Sequence, residues 1–254
     1  MTEMTLLTKI SNDNQLKQID NALKLALNGL EVETEIIGTV ADGWVQMSIV
    51  GEDERVATNY IFKEIGVCPI NLENVKKSST LKGYITNIGK SSGELMVDLG
   101  VFEPKVVHAM MPLRHLQTEL VDGRKVAMRK IAELFGLCDG LPLSVKVIGL
   151  DEEESRIDAE LSSRYIRKFR VWRDSLLDRL LIIGSSLHEI KATIEHDKLD
   201  RDVIQVEPLG MFEHALICKL GTDATGLIPK IGRKLRRARF TVFNPKTLRQ
   251  FLIA

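Results

Sequence analysis

The sequence contains few cysteines and no long apolar run. Its three cysteines, Cys68, Cys138 and Cys218, lie far apart in the chain, which argues against a disulfide framework and against a zinc site built from close cysteine pairs. Without a stretch of about 18 apolar residues, the sequence offers no candidate membrane span. Its first residues, MTEMTLLTKISNDNQLKQ, are too polar for a secretory signal. We therefore expect a cytosolic protein with reduced thiols and no membrane partner.

The sequence also lacks the common signatures of catalysis. The motif GKSSG begins at Gly89, but five residues separate it from Gly83 where a phosphate loop needs four, and a strand follows instead of a helix. His188 and His196 are eight positions apart, too far to share one zinc ion easily, and residues 151–154 are typical of a solvated acidic turn. We predict a non-catalytic protein without cofactor or metal. An enzyme would need a carboxylate cluster that the spacing does not show.

Acidic residues are missing from the last part of the chain, although the whole chain has 35 basic and 35 acidic residues. Residues 1–75 contain 5 basic and 12 acidic residues, a net charge of −7, whereas residues 224–254 contain 8 basic residues and no acidic one. Between them, residues 76–150 have a net charge of +4 and residues 151–223 of −5. Because a binding surface responds to local potential, the overall charge is a poor guide to partners here, and the segregation indicates a modular chain.

The periodicity of apolar residues predicts an α+β fold in four parts. Residues 1–75 indicate an acidic α+β domain, formed by a strand, an amphipathic helix, a hairpin that turns at Ala41–Gly43 and a second helix. Residues 80–163 indicate three strands, a helix and two strands, which is the order of an OB barrel. Residues 164–200 predict a helical hairpin, and residues 201–254 a basic, β-rich C-terminal unit.

The middle of the chain resembles an S1-type RNA-binding domain. The matching features are a glycine-led first strand, a second strand ending in Asp-Leu-Gly, a Val-x-Val strand, an acidic turn and a strand ending in Leu-Ser; they lie at Gly83, Asp98–Gly100, Val145–Val147, Asp151 and Leu161–Ser162. The resemblance implies an OB barrel that binds RNA. Where S1 domains usually carry aromatic residues that stack on bases, this sequence has Ser91, Ser92 and Gly93, with only Phe102 and His108 nearby. Recognition of the RNA backbone or shape is therefore expected.

Two further resemblances concern larger parts of the chain. Lys219–Gly221 and Gly226–Pro229 are similar to Asp98–Gly100 and Ala109–Pro112, which predicts a shortened second S1-like unit in the C-terminal part. The whole chain also resembles an archaeal family of domains of unknown function, number 2110. That resemblance implies no activity.

A basic segment near the C-terminus gives the strongest indication of a partner. Six cations lie within ten residues and have no acid among them: Lys230, Arg233, Lys234, Arg236, Arg237 and Arg239. They would repel one another unless a polyanion lies opposite, and arginine can bind phosphate through two parallel hydrogen bonds. Secondary contacts are expected around the barrel, from Lys82, Lys90, Arg114, His115, Arg124, Lys125, Arg129 and Lys130. We expect single-stranded or structured RNA, such as ribosomal RNA, as the partner.

Two functions remain open at this point. The first is an RNA-binding protein, associated with the ribosome or with translation, that contacts the phosphate backbone. The second is a protein-interaction adaptor of the transcription or translation machinery, whose basic tail binds an acidic protein surface such as that of the N-terminal unit. One continuous stripe of tail and barrel cations would favour RNA, and separate patches would favour the adaptor. The sequence does not define the oligomeric state.

Overall fold

The computed structural model describes residues 1–88 and 93–253, and the chain divides into two compact units. The first unit consists of Met1–Val75 and Gly100–Val106, and the second of Lys76–Leu99 and Val107–Ala254. Helices and strands are mixed in both units, which confirms the predicted α+β class. Within the described residues, no helix combines the length and the apolar character needed to cross a membrane.

The first unit is a three-stranded antiparallel sheet with two helices. Its elements are β1 (Thr2–Lys9), α1 (Asp13–Ala26), β2 (Val32–Val40), β3 (Trp44–Gly51), α2 (Glu54–Glu64) and the two-residue strand β4 (Ile70–Asn71). The strand order is β1-β3-β2, and the turn between β2 and β3 falls at residues 41–43 as predicted. The helix α1 buries Ile19 and Leu23, and α2 buries Ala57 and Ile61, so each helix turns its apolar stripe inward.

The element order of the first unit, β-α-β-β-α, is that of a ferredoxin-like fold without a full fourth strand. The segment after α2 runs beside the free edge of β1. The Leu7 N–H donates to the Gly66 carbonyl and the Cys68 N–H donates to the Thr5 carbonyl, each over 2.9 Å. These few residues stand where the fourth strand of the complete fold would pair.

A five-stranded barrel comes next, and its residues belong to the second unit except Gly100–Glu103 at the end of its second strand. Its elements are β5 (Thr80–Thr86), β6 (Glu94–Glu103), β7 (Val107–Pro112), α3 (Leu113–Leu120), α4 (Met128–Phe135), β8 (Pro142–Asp151) and β9 (Arg156–Leu161). Strand β5 pairs with β6 and β8, β8 with β9, β9 in parallel with β7, and the β6–β7 pairing closes the ring. This is the topology of an OB barrel, as predicted. Two helices, α3 and α4, lie between the third and fourth strands, where the sequence predicted one.

The second unit ends with a four-stranded antiparallel sheet. The elements are α5 (Ser163–Asp174), β10 (Arg179–Ile183), α6 (Leu187–His196), β11 (Val203–Pro208), β12 (Glu213–Cys218), α7 (Ala224–Gly232), β13 (Arg239–Phe243) and α8 (Pro245–Ile253). The strand order is β11-β12-β10-β13. From β10 to β13 the chain therefore forms a complete β-α-β-β-α-β ferredoxin-like module.

Helices cover both faces of this C-terminal sheet. On one face, Leu180 and Ile182 of β10 pack with apolar residues of α6 and α7. On the other face, the Phe243 ring lies parallel to that of Phe169 in α5, with 6.2 Å between ring centroids, and meets Trp172 edge-on at 5.4 Å. The strand β10 is consequently buried along its whole length.

The helical hairpin predicted over residues 164–200 differs from the structure, because a strand, β10, lies between its two helices. The two predicted helices form as α5 and α6, but Arg179–Ile183 between them is a strand. Because β10 is covered on both faces, its Leu-Leu-Ile-Ile run lacks the alternation of apolar and polar residues that marks a half-buried strand. In the sequence, this run also continues the helical spacing of the apolar residues of α5.

The C-terminal part also differs from the shortened S1-like unit predicted there. Gly226–Pro229 lies in the helix α7, whereas the residues aligned with it, Ala109–Pro112, lie in the strand β7. The short match between the two segments does not reflect a common fold. The C-terminal module instead repeats the element order of the first unit.

Candidate nucleic-acid interface

The basic segment leads from the end of α7 through a turn into β13, and residues 230–239 are called the basic turn below. Its Leu235 is buried in the apolar core beside Ile231, which anchors the backbone of the turn. The cations on either side of this anchor are exposed to solvent: Lys230, Arg233, Lys234, Arg236, Arg237 and Arg239. The turn thus displays charge from a backbone that apolar packing holds in place.

Two carboxylates offset the lysines of the basic turn. Lys234 Nζ lies 2.9 Å from Asp197 Oδ1, and Lys230 Nζ lies 3.9 Å from Asp202 Oδ2. The hydrogen bond from Lys234 lowers the pKa of the Asp197 carboxyl. The sequence had shown no acid near these lysines, because both acids follow α6 and reach the turn only through the fold. Such exposed pairs contribute little to stability.

The arginines of the basic turn keep their charge unpaired. Within residues 1–88 and 93–253, Arg233, Arg236, Arg237 and Arg239 form no ion pair. The Arg236 Nε–H donates to the Arg233 carbonyl over 3.3 Å, which stabilises the turn and leaves the terminal nitrogens of that guanidinium for another acceptor. Four guanidinium groups on one turn suit the two-point hydrogen bonding of phosphate oxygens.

Arg239 lies beside the barrel. Its guanidinium lies against Gly140, in the segment between α4 and β8. A Cβ atom at position 140 would be only 2.8 Å from Arg239 Nη2. The neighbouring Asp139 accepts a hydrogen bond from the Ile88 N–H over 2.8 Å, and Ile88 opens the β5–β6 loop. In OB folds this loop is one of the two that contact nucleic acid. The basic turn therefore meets the barrel where that loop begins; the predicted contact Lys90 falls in the loop but outside the described residues.

A buried carboxyl group lies at the same junction. Glu213 at the start of β12 is only 4% exposed, and the Tyr84 hydroxyl donates to its Oε2 over a long 3.5 Å. Burial raises the pKa of Glu213 to about 8, against the smaller opposing effect of the Arg239 charge. At neutral pH the group is therefore largely protonated and does not cancel the charge of Arg239.

The second contact loop of the OB fold has the opposite charge. The β8–β9 turn contains Asp151, Glu152, Glu153 and Glu154, all exposed as predicted for a solvated turn. Arg156, which follows the turn, is paired with Asp158 over 2.8 Å. This acidic end of the barrel would repel phosphate. Of the two loops, the β5–β6 loop is therefore the one that a phosphate backbone would approach.

The predicted secondary contacts lie on several different elements of the barrel. Lys82 is exposed on β5, Arg114 on α3, Lys125 in the α3–α4 connection and Arg129 on α4. Lys130 is paired with Glu133 over 3.2 Å, and His115 is half-buried with a buried Nδ1 atom.

Arg124, another predicted secondary contact, binds the end of the chain's last helix. Its guanidinium donates to the carbonyls of Phe251 and Leu252 over 2.9 and 2.6 Å, and it lies over the Phe251 ring. It therefore holds the last turn of α8.

The structure also shows a set of cations that the site prediction left out. The outer face of α5 exposes Arg164, Arg167 and Arg170, and α8 exposes Lys246 and Arg249. The spacing of residues in α5 could have predicted this exposed row of arginines. The aromatic stripe of α5 is buried, and the arginines occupy the positions between its members.

Few aromatic rings on the described surface are positioned to stack on bases. Sheets of this topology can bind RNA by stacking bases on exposed aromatic residues, but here helices cover both faces and the rings of Phe169, Trp172 and Phe243 pack on each other. Phe102 and His108, the two rings expected near the barrel strands, are half-buried. Contact with the backbone is the mode that the available groups permit.

Fold and site together define an α+β protein with an OB-like barrel and a basic turn beside it. The chain belongs to the DUF2110 family. It matches the DUF2110 N-terminal domain over residues 3–69, the DUF2110 central domain over residues 75–173 and the DUF2110 C-terminal domain over residues 177–243. These matches confirm the whole-chain resemblance noted in the sequence. No protein of curated function shows detectable sequence similarity to the chain.

Several solved structures show a limited likeness to the chain. The uncharacterized protein MJ1198 from Methanocaldococcus jannaschii is 18% identical, with a TM-score of 0.25 and coverage of 35% of this chain and 95% of that one. GSP13 from Bacillus subtilis is 18% identical, with a TM-score of 0.27 and coverage of 36% and 58%. The intact alpha subunit of aIF2 from Pyrococcus abyssi is 11% identical, with a TM-score of 0.27 and coverage of 66% and 97%. At these TM-scores, the fold described above rests on the pairings within the chain itself.

Proposed function

We propose that this protein is a non-catalytic RNA-binding protein that contacts the phosphate backbone of single-stranded or structured RNA through the basic turn. The observation that supports the proposal most directly is the position of Arg239, beside the start of the β5–β6 loop of the OB barrel. An RNA strand crossing that end of the barrel would meet Arg239 first and then the unpaired Arg237, Arg236 and Arg233.

The proposed contact has a distinct dependence on salt. Each phosphate that a cation neutralises on a single strand adds about −0.7 to the slope of log K against log salt concentration. If each of the four arginines binds one phosphate, the slope from the basic turn is about −3. Because the described surface offers few aromatic rings for stacking, we expect little preference between oligonucleotide sequences.

A titration by fluorescence anisotropy tests the proposal. The wild type is compared with the triple variant Arg233→Glu, Arg236→Glu, Arg237→Glu on a structured RNA and on an unstructured oligonucleotide, from low to physiological salt. We expect binding that weakens with salt and a variant that remains folded by circular dichroism but loses its affinity. Failure of the wild type to bind either RNA at low salt would refute the proposal.

The adaptor function is the second candidate, and two observations favour it. The basic turn already binds the carboxylates Asp197 and Asp202, so an acidic protein surface is a suitable partner. The acidic first unit also exposes Val56, Tyr60 and Phe62 on α2, the kind of aromatic surface that protein interfaces use. Tight binding of an acidic polypeptide, with no RNA binding in the same assay, would support this function instead.

A further inference from the structure

The outer face of α5 is a rigid row of arginines. Arg164, Arg167 and Arg170 recur every three residues and span about 9 Å along the helix axis. The Ser162 hydroxyl caps the helix by accepting from the Tyr165 N–H. The opposite face of α5 buries Tyr165, Phe169 and Trp172 in an edge-to-face series of rings with centroids 5.1 and 5.8 Å apart. The arginines are therefore presented by a helix whose position is fixed.

The surroundings leave this row positively charged. In the described part of the chain, Arg164, Arg167 and Arg170 have no ion pair. The acid at the end of the helix, Asp174, accepts a hydrogen bond from Arg173 over 2.9 Å, and this bond together with the charge of Arg249 in α8 lowers its pKa. Two further acids, Glu119 and Asp122, line a small cavity with Arg170 and Arg173. Cations still outnumber acids on the exposed surface that α5 and α8 form, which is called the α5 surface below.

The α5 surface lies on the opposite side of the C-terminal sheet from Arg233, Arg236 and Arg237 of the basic turn. The side chains of Leu180 and Ile182 on β10 face α6 and α7, and the basic turn follows α7. The alternate residue Arg179 places its guanidinium 5.0 Å from the Trp172 ring of α5. Successive strand residues point to opposite faces, so the sheet separates the arginines of α5 from Arg233, Arg236 and Arg237. Arg239 on β13 is the exception, because Phe240 and Val242 pack on the α6 and α7 side and Arg239 therefore shares the face of Phe243.

We propose that the α5 surface is a second binding site for the RNA phosphate backbone, so that one protein molecule bridges two RNA segments. This inference rests on the proposed RNA-binding function and extends it. The composition favours RNA over a protein partner for two reasons. The three unpaired arginines of α5 can each bind phosphate oxygens through two parallel hydrogen bonds. The exposed face of α5 also offers a single large apolar residue, Val171, where the centre of a protein interface is formed by an apolar cluster. Two separated sites predict two short oligonucleotides per protein molecule.

Stoichiometry measured by native mass spectrometry tests the bridge. The probe is an oligouridylate of about eight nucleotides, short enough to occupy one site. We expect two oligonucleotides on the wild type, one on Arg164→Glu, Arg167→Glu, Arg170→Glu, and one on Arg233→Glu, Arg236→Glu, Arg237→Glu. The control is Lys17→Glu, Arg55→Glu, Lys63→Glu, which makes the same change in net charge at exposed positions of the first unit and should still bind two. Circular dichroism checks that each variant is folded.

A long RNA gives an independent readout of the bridge. An RNA that reaches both sites should bind on the order of a hundred-fold more tightly than the short probe, and either triple variant should lose that gain. A wild type that binds one oligonucleotide, with the α5 variant unchanged and the turn variant inactive, would overturn the second site and leave the basic turn standing. The reverse pattern, a turn variant that binds one and an α5 variant that binds none, would refute the basic turn alone. Binding of poly-glutamate in place of RNA to the α5 surface would also overturn the inference.

Discussion

Replacing Glu213 by Gln should change how the stability of the protein depends on pH. Glu213 is the buried carboxyl group at the junction of the barrel and the C-terminal sheet, and its pKa is raised from 4.5 to about 8, chiefly by burial. The backbone approaches the carboxyl group closely, since a side chain on Gly210 would overlap its Oε2 atom. Gln keeps the shape of the side chain and can accept from the Tyr84 hydroxyl, but it cannot ionise.

The sign and size of the effect follow from the two pKa values. Between pH 4.5 and pH 8 the unfolded chain releases a proton that the folded protein retains, so the contribution of Glu213 to stability falls as pH rises through this window. At pH 7 the loss is on the order of 3 kcal/mol relative to acidic solution, at 1.36 kcal/mol for each pH unit. The Gln variant does not lose this stability as pH rises, because its side chain cannot ionise. It should equal the wild type near pH 5 and be more stable by a few kcal/mol at pH 8.

Urea unfolding at intervals from pH 5 to pH 9 measures the difference directly. The control is Glu133→Gln, which removes an exposed carboxylate that is paired with Lys130 and should give nearly the same difference at every pH. A Glu213→Gln variant whose stability relative to the wild type does not rise between pH 5 and pH 8 would refute the assignment of a neutral, buried carboxyl group. A variant that is less stable at pH 8 would show that the group acts as a buried anion bound by Arg239.

Two further predictions concern the packing of the C-terminal module. Arg124→Ala removes two charged hydrogen bonds to the carbonyls at the end of α8 and should cost about 2 kcal/mol in urea unfolding; Arg124→Lys should recover part of this, and full stability of the Ala variant would contradict the structural contact. Phe243→Ala removes the ring shared by α4, α5 and β13 and should cost about 3–5 kcal/mol in thermal unfolding, whereas Phe62→Ala, on an exposed ring, should change stability by less than about 0.5 kcal/mol.

The sequence predicted the fold best where one face of an element meets solvent. The helix α1 and the strand β2 show the period of their element, and both form as predicted. The strand β10 shows the limit. A short apolar run that is covered on both faces has the same composition in a strand and in a buried helix, so only the partners β12 and β13 decide between them.

The candidate site shows the same division between local and long-range information. The basic turn is visible in the sequence because its charge is concentrated in consecutive residues. Its lysine partners Asp197 and Asp202, and the neighbour Gly140 of Arg239, depend on contacts between distant parts of the chain that periodicity does not encode. The arginines of α5 are an intermediate case. Their spacing can be read from the sequence, but their exposure follows only once the aromatic face of α5 is known to be buried on the sheet.

The shared aromatic cluster has a consequence for how this family can evolve. Phe135, Phe169 and Trp172 belong to the central domain, and Phe243 belongs to the C-terminal domain, yet their rings form one core across the boundary near residue 175. A gene fragment that begins after this boundary would encode a sheet with one bare apolar face, prone to aggregate. We therefore expect recombination at this boundary to destabilise the sheet, and substitutions on one side of the cluster to be energetically coupled to substitutions on the other.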